Sequence, residues 1–327
     1  MYLGEQLATL SERRLALSAQ LGVEHIALHT TGRSESELAL RGQDGTWTVA
    51  GIREAQRRLA GHGMTLDVLA LDVEQLWWSL LCDAPDRRAR LDAVTRDIRV
   101  AAEAGVPCLK YRIQPIGVLR TGRLPGRGGA RYAAFDVERW TDHSLTPAGR
   151  VAPERMWELI ATFLEAIVPV AEASGVRLAC HPQDPALPPA GLRGIPHVLG
   201  TVEAMQHFLD LTPSPVHGLN FCQGTVAEMC LEPRTEVLEA IRTFGRQGKI
   251  FMVHFRNITG GRLRFAEVYP DNGDVDMLQA MRAYKEAGYR GMFCPDHVPQ
   301  SDADQGNERQ FAFCLGYTRA LLQAVGA

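Results

Sequence analysis

The segment Val176-Arg177-Leu178-Ala179-Cys180-His181 reads as a short buried β-strand that ends on a metal-capable side chain. Pro182 follows it, so His181 stands where a strand gives way to a loop. The segment Ile250-Phe251-Met252-Val253-His254 repeats this arrangement. A single strand-end histidine is most often structural. Two at corresponding positions favour a shared site, since neutral imidazole is the commonest metal ligand in proteins.

Two further apolar runs end on side chains that can bind a metal. Gly218–Cys222 ends on Cys222, beside a glycine turn, and the run that begins at Gly291 ends on Asp296. Carboxyl ends of parallel strands share one edge of a sheet, so these side chains should converge with the two histidines. Two imidazoles, a thiolate and a carboxylate would form a divalent-metal site with positions open for substrate. The alternative for Cys222 is a small buried hydrophobe.

His297 directly follows the proposed carboxylate ligand. Neighbouring residues on an extended strand point to opposite sides, so Asp296 can bind metal while His297 faces substrate as a general acid or base. On spacing alone, a capping pair at a turn is an equally good explanation for Asp296-His297.

Apolar runs and amphipathic segments alternate along the chain. The predicted strands are Val23–His29, Leu66–Leu71, Pro107–Ile113, Val176–His181, Gly218–Cys222, Ile250–Arg256, Leu263–Tyr269 and Gly291–Asp296. The predicted helices are Gly51–Ala60, Arg88–Ala104, Glu154–Ala173, Val202–Leu209, Arg234–Thr243, Asp276–Ala287 and Gln310–Ala324. Eight predicted strands that alternate with helices over residues 1–327 predict one α/β domain, a (β/α)8 TIM barrel. A doubly wound sheet shares the alternation, but active residues from four strands favour closure.

Two connections are long. The first runs from Gln114 to Pro153, after the third predicted strand, and the second from Pro182 to Gly200, after the fourth. Structureless loops of such length are usually functional lids or disordered. Both leave strand carboxyl ends, which predicts lids over an active site. Solvated insertions are the alternative.

Composition and charge exclude several classes of function. A net charge of −3 offers no binding surface for nucleic acid or an anionic membrane. No apolar run approaches the ~18 residues of a membrane span, and the first residues lack a signal-peptide pattern. Seven scattered cysteines indicate cytoplasmic use rather than a disulfide framework.

Several polar residues near the predicted strand ends are candidates for substrate binding. Arg112 and Arg120 could grip a carboxylate with two hydrogen bonds each, although loop arginines often only solvate a surface. The remaining candidates are Arg256 and Asn257, which flank His254, and Glu267 on the seventh predicted strand. Asp276, by contrast, is predicted to be a helix cap.

Taken together, the motifs resemble the mannonate dehydratase family of xylose-isomerase-like barrels, from about Gly51 to the carboxyl terminus. The matching segments are Lys110-Tyr111-Arg112-Ile113-Gln114-Pro115, Leu119-Arg120-Thr121, His181-Pro182-Gln183-Asp184-Pro185, Gly218-Leu219-Asn220-Phe221-Cys222-Gln223-Gly224, Val253-His254-Phe255-Arg256-Asn257, Phe265-Ala266-Glu267, Gly273-Asp274-Val275-Asp276-Met277 and Pro295-Asp296-His297.

The resemblance implies a reaction and a cofactor. Members remove water from D-mannonate, a small sugar acid, to give 2-keto-3-deoxygluconate. By this resemblance the metal is Mn²⁺ or another divalent ion, and His297 does the acid–base work. The implied metal ligands are His181, Cys222, His254 and Asp296. A homo-oligomer is also compatible with the sequence.

The chain departs from the family pattern beside the active site. Family members usually follow the Asp-His pair with Gly-Arg and later a catalytic tyrosine, whereas residues 298–307 contain neither arginine nor tyrosine. Val118-Leu119 replaces a bulky aromatic near Arg120, and Arg112-Ile113-Gln114 stands where the family has a phenylalanine–methionine pair. Two alternatives therefore stay open: a sugar or keto-sugar isomerase or epimerase with the same enediolate chemistry, and a non-catalytic metal-binding barrel.

Overall fold

The computed structural model describes residues 1–29, 39–43, 45–304 and 306–327. The strands in these ranges are β1 (Tyr2–Leu7), β2 (His25–Leu28), β3 (Thr65–Ala70), β4 (Cys108–Arg112), β5 (Gly122–Pro125), β6 (Arg131–Asp136), β7 (Arg177–His181), β8 (His217–Cys222), β9 (Ile250–His254), β10 (Asn257–Gly261), β11 (Arg264–Val268) and β12 (Met292–Cys294). The α-helices there are α1 (Glu12–Gln20), α2 (Val49–Ala60), α3 (Glu74–Leu81), α4 (Arg87–Glu103), α5 (Pro153–Ser174), α6 (Val202–Leu211), α7 (Gln223–Met229), α8 (Pro233–Arg246), α9 (Met277–Glu286) and α10 (Glu308–Ala324).

Eight parallel strands close into a barrel. Their order around it is β1-β2-β3-β4-β7-β8-β9-β12, and β12 pairs again with β1. The predicted (β/α)8 fold is therefore confirmed. All eight strands carry their carboxyl ends to one face of the barrel, the face on which such folds build active sites.

Small and apolar side chains fill the barrel interior below that face. This layer consists of Ala27, Val68, Cys108, Ala179, Phe251, Met252, Met292 and Cys294. A Cβ atom on Gly4 would lie 2.5 Å from the Met292 side chain, so β1 needs a glycine there. The described part of the barrel interior is a packed core, and space for a ligand lies toward the carboxyl ends of the strands.

Helices pack against the outside of the barrel through aromatic contacts. The Phe163 ring of α5 lies 5.3 Å from that of Trp77 in α3 and 5.5 Å from that of Tyr111 in β4. The ends of α5 follow from its sequence. Pro153 is its first residue, where a missing N–H costs nothing, and Gly175 ends it with a left-handed φ of 68°.

Strand β1 was absent from the predicted set. Its sequence Tyr-Leu-Gly-Glu-Gln-Leu is no apolar run, because its polar residues are used inside the fold. The Glu5 side chain is fully buried, with an ion pair to Arg14 and a 2.6 Å hydrogen bond from the Ser18 hydroxyl. The sequence pattern therefore does not show that β1 is buried, because the partners of its polar residue Glu5 lie in α1.

The prediction of a barrel strand at Leu263–Tyr269 is wrong. This segment forms β11 of a four-stranded antiparallel sheet in the order β10-β11-β6-β5. Left-handed conformations at Gly260 (φ +85°) and Leu263 (φ +66°) reverse the chain, so β10 and β11 pair as a hairpin with Asn257 opposite Val268. A tight hairpin joins only antiparallel strands. The barrel keeps eight strands because β1 takes the vacant place.

The long connection after β4 is ordered by this second sheet. It contributes β5 and β6, and β6 pairs with β11 so that Phe135 stands opposite Phe265 with ring centres 6.0 Å apart. The expectation of a structureless lid at 114–153 is therefore corrected. The connection at 182–200 contains turns without a named helix or strand. Both connections leave carboxyl ends of barrel strands, as predicted.

Helices α1, α3 and α7 were not predicted. All seven residues of α7 are buried, so the helix lacks the polar face on which an amphipathic pattern depends. The Asp276 cap is confirmed, since its Oδ1 accepts hydrogen bonds of 3.0 Å from the backbone N–H groups of Leu278 and Gln279. Among the described residues, no helix combines the length and apolar character needed to span a membrane.

Candidate metal centre and active site

A cavity of about 600 Å³ opens at the carboxyl ends of the barrel strands. Polar side chains reach it from opposite sides of the barrel. Those from β1, the end of β2 and β4 are Gln6, His29, Lys110 and Arg112; those on the side of β7, β8, β9 and β12 are His181, Asn220, His254, Asp296 and His297.

Four side chains that can bind a metal lie together at this cavity. His181, His254 and Asp296 line it, and Cys222 is fully buried next to them. The ligand atoms of His181, Cys222, His254 and Asp296 all lie within 4.8 Å of one another. The first three are the last residues of β7, β8 and β9, and Asp296 lies two residues beyond β12. These four strands are neighbours in the barrel, which explains why side chains distant in sequence converge.

Both histidines of this cluster are held in the neutral form. Burial, with repulsion from His254, lowers the pKa of His181 to about 3, and burial lowers that of His254 to about 4 despite Asp296. His181 Nδ1 lies 2.6 Å from the Pro182 carbonyl oxygen, so Nδ1 carries the proton and Nε2 keeps its lone pair.

His254 has a matching partner in Asn220, whose amide lies 3.2 Å from Nε2. The amide oxygen and nitrogen exchange places on rotation, so the amide can accept the Nε2–H proton. That tautomer leaves the Nδ1 lone pair free beside Asp296 Oδ2, 3.3 Å away. His254 Nδ1 and Asp296 Oδ1 are buried without a hydrogen-bond partner, and a bound cation would satisfy both.

The donor set fits a divalent transition metal. Burial raises the pKa of the Cys222 thiol to about 12, and its sulfur receives a 3.2 Å hydrogen bond from the Thr225 hydroxyl. Burial would raise the pKa of Asp296, but His254, His297 and Arg256 together hold it well below the ordinary value. Two nitrogens, a sulfur and a carboxylate oxygen suit a borderline ion rather than magnesium.

His297 swings back over the cavity instead of pointing away. Its Nδ1 lies 2.6 Å from Glu267 Oε1, and its side chain is 34% exposed. Burial would lower the pKa of His297, but Glu267 and Asp296 raise it to about 9. The imidazolium is therefore the neutral-pH form, with Nδ1–H donated to Glu267 and Nε2 available to a ligand.

A buried network of ion pairs lies next to the cavity, with Arg256 at its centre. The Arg256 Nη2 group donates to Asp184 Oδ2 at 3.0 Å and to Glu228 Oε1 at 2.9 Å. Its Nη1 lies 3.4 Å from Glu267 Oε1. A Cβ on Gly224 would lie 2.5 Å from the guanidinium. The glycine after Cys222 therefore leaves the space that the Arg256 side chain occupies.

Arg120 closes the same network. It forms a two-point contact with Asp184, at 2.5 Å and 3.0 Å, and donates to Glu267. Burial opposes ionisation of Asp184, but Arg120 and Arg256 lower its pKa. Burial next to Asp184 raises the pKa of Glu228 to about 8.

The structure separates the predicted substrate-binding residues into two groups. Arg112 lines the cavity, whereas Arg120, Arg256, Asn257 and Glu267 are absent from its lining. The Asn257 amide instead donates to the carbonyls of Pro270 and Val275 and fixes that loop. These four side chains support the cavity and do not face it.

Sequence reasoning missed several residues of the site. Asp184 was noticed only within a motif, and Glu228 lies on the unpredicted α7. Lys110, Gln6, His29 and Asn220 were given no role. The sequence does contain one signal for Lys110. Side chains alternate between the two faces of a strand, so Lys110 and Arg112, two residues apart on β4, share the inward face.

The fold and this site define a class of protein, the xylose-isomerase-like (β/α)8 barrels with a candidate metal centre at the carboxyl face. A Mycobacterium smegmatis xylose-isomerase-like TIM-barrel protein, solved with magnesium, superimposes with a TM-score of 0.60 at 16% identity over 96% of this chain and 87% of its own. At that identity the likeness concerns the fold alone.

The chain belongs to the D-mannonate dehydratase family, whose model matches residues 123–320. Mannonate dehydratase of Thermotoga maritima is 34% identical over 290 residues, covering 77% of this chain and 78% of the relative. Mannonate dehydratase 2 of Halalkalibacterium halodurans is 26% identical over 77% of this chain and 79% of the relative. The crystal structure of mannonate dehydratase from Streptococcus suis has a TM-score of 0.81 at 23% identity, covering 100% of this chain and 95% of that one.

Proposed function

We propose that this protein is a metal-dependent hydro-lyase that converts D-mannonate, or a closely related aldonate, to a 2-keto-3-deoxy acid and water. The observation that carries the proposal is the convergence of four ligand atoms within 4.8 Å beside His297, in one cavity of a chain from this family. The cavity also has the volume of a small-molecule site.

His181, Cys222, His254 and Asp296 would hold the metal, and we propose Mn²⁺ as the ion. The buried, unpaired Nδ1 of His254 and Oδ1 of Asp296 support a bound cation here, and the choice of Mn²⁺ follows the family resemblance. A divalent ion supplies Lewis-acid chemistry, which makes the C2 proton of an aldonate more acidic and stabilises the resulting negative charge.

His297 would deliver a proton to the leaving 3-hydroxyl. Glu267 holds its Nδ1–H, so the other ring nitrogen, Nε2, moves the proton. In the reaction, a base takes the C2 proton and the C2–H electron pair forms the C2=C3 bond. The C3–O bond breaks, the hydroxyl leaves as water, and the enol becomes the 2-keto acid.

The ion network would position these groups. Asp184 and Glu228 fix Arg256, and Arg256 with Arg120 fixes Glu267, which orients His297. Arg112, which lines the cavity, is the proposed substrate contact among the predicted residues. Asn257 keeps the loop at 270–275 in place.

An isomerase or epimerase is the second candidate. It is favoured by the absence of tyrosine from residues 298–307, since a single histidine can move a proton between carbons without expelling water. It would use the same metal centre.

The decisive assay uses metal-stripped protein, reconstituted with Mn²⁺, and a panel of aldonates including D-mannonate. Formation of a 2-keto-3-deoxy acid supports the dehydratase. Deuterium incorporation from D₂O into recovered sugar, without loss of water, supports the isomerase. Cys222→Ser should abolish turnover, whereas Cys82→Ser, at the exposed cysteine, should not. Full turnover by Cys222→Ser would contradict the proposal.

We also propose that residues 1–327 act as one catalytic domain in the cytoplasm, because the first barrel strand, β1, pairs with the last, β12, and closes a single barrel. All seven cysteines are free thiols, which suits a reducing compartment.

A further inference from the structure

Lys110 is an unusual residue in this chain. Only three of the 35 cationic residues are lysines, and two of these, Lys249 and Lys285, bond to backbone carbonyls away from the cavity. Lys110 lies in β4, where side chains alternate between the two faces of the barrel wall. Cys108 belongs to the packed interior, so Lys110 and Arg112 point inward at successive levels above it.

The Lys110 ammonium is buried without an ion-pair partner. Its side chain is only 4% exposed, and it donates a hydrogen bond to Gln6 Oε1, on β1 across the barrel. Among the described residues it has no ion pair and no other hydrogen bond. An ammonium has three donors, so two remain for a molecule in the cavity. Burying an unpaired charge is costly, which points to a ligand that completes the site.

The other cations near the cavity differ in whether a carboxylate already pairs with them. Arg120 and Arg256 are committed to buried carboxylates. Arg112 lines the cavity and makes no hydrogen bond or ion pair within the described part of the chain. Two cations, Lys110 and Arg112, are therefore available on β4, the strand that pairs with β7 and places Arg112 beside His181.

We propose that Lys110, held by Gln6, binds the substrate carboxylate together with Arg112. This deepens the proposed function and rests on it for the identity of the substrate. An aldonate carries one charge, on C1, and loss of the C2 proton sends a second negative charge toward the same carboxylate oxygens. The attraction between a fixed ammonium and these oxygens therefore becomes stronger as the reaction proceeds. The site thus selects sugar acids over neutral sugars and sets the direction in which the chain of hydroxyls lies.

The test compares a charged ligand with its neutral counterpart. His297→Asn, loaded with Mn²⁺, serves as the background, so that binding can be measured by calorimetry without turnover. Adding Lys110→Met should weaken D-mannonate binding by about 30- to 1,000-fold, the usual effect of removing one partner of a buried charge pair. Binding of D-mannonamide, which lacks the charge, should change less than about threefold. Lys285→Met, on the exposed surface, is the matched control and should change neither.

Each outcome decides the proposal. Equal losses for both ligands would mean that Lys110 only packs the cavity, and unchanged mannonate binding would remove it from the site. Lys110→Met should unfold at a temperature no lower than the background protein, because it removes an unpaired buried charge. Marked destabilisation would reveal a partner and contradict the proposal. Since binding does not require turnover, a failed dehydratase assay leaves this result standing.

Discussion

His297 combines two features that a general acid needs, a fixed orientation and an open nitrogen. Glu267 Oε1 lies 2.6 Å from Nδ1, and the ring borders the cavity beside Asp296. Glu267 is itself fixed by Arg120 and Arg256, so the orientation of one imidazole depends on side chains from three separate segments. This dependence makes His297 the most informative residue to replace.

Replacing His297 by asparagine should lower turnover by roughly 10²- to 10⁴-fold, the usual contribution of a positioned acid or base. Metal content and unfolding temperature should stay near wild type, because the four candidate metal ligands are unchanged. Steady-state kinetics with metal analysis provides the measurement, and His143→Asn, at an exposed histidine, is the control. Wild-type turnover by His297→Asn would remove this residue from the mechanism.

At the scale of elements, the antiparallel sheet and the two long connections meet at one ion network. Arg120 follows β4, Asp184 follows β7, and Glu267 lies on β11. The network therefore ties the second sheet to the barrel mouth. Exposed pairs such as Arg264 with Asp136, 3.6 Å apart, do not share this role, since the Arg264 side chain is 84% exposed.

Arg120→Met should lower the free energy of unfolding by about 3 kcal/mol or more, because it removes one of the two arginines that compensate the buried carboxylates of Asp184 and Glu267. Arg264→Met should cost less than about 1 kcal/mol, as exposed ion pairs usually do. Urea unfolding of the two variants measures both values. Equal effects would show that the Arg120 network contributes no more than a surface pair.

A strand could be predicted from the sequence wherever its buried residues form a continuous apolar run. Ile250–His254 is such a run, and its final histidine marked the site directly. Strand β1 was not predicted because Glu5 and Gln6 have their hydrogen-bond partners in other elements, and no local sequence pattern shows such partners. The error at Leu263–Tyr269 has the same origin, since local sequence shows a strand but not the element with which it pairs.

The candidate metal ligands could be predicted from the sequence, whereas the ion network could not. Cys222 ends β8 and Asp296 follows β12 by two residues, and the carboxyl ends of barrel strands lie on one face. Glu228, in contrast, reaches Arg256 from a fully buried helix, and Arg120 reaches Asp184 across 64 residues. Such contacts depend on how elements pack, so they require the structure.

Across the whole molecule, the two sides of the barrel have different tasks. The neighbouring strands β7, β8, β9 and β12 lead to the candidate metal ligands, and β1 and β4 carry the residues proposed to hold the substrate carboxylate. The scaffold itself contains buried histidines remote from this chemistry. His217 is fully buried, with Nδ1 3.1 Å from the Thr212 carbonyl oxygen and Nε2 without a partner.

This burial predicts acid sensitivity. Burial lowers the pKa of His217 from 6.5 to about 4 in the folded protein. Between these values the unfolded chain binds more protons than the folded one, so stability is lost as pH falls from 6.5 toward 4. At pH 5 this histidine accounts for a loss of about 2 kcal/mol. His217→Gln should therefore reduce the difference in unfolding free energy between pH 7.5 and pH 5 by that amount, whereas His143→Gln should not. An unchanged pH dependence would contradict the prediction.

The central claim is that His181, Cys222, His254 and Asp296 hold one divalent ion at the cavity. Its most direct test is a crystal structure of the Mn²⁺-loaded protein with anomalous data collected at the manganese edge. The account predicts a single strong anomalous peak within bonding distance of all four side chains, and its loss in Cys222→Ser. A peak elsewhere, or full occupancy that persists in Cys222→Ser, would contradict it.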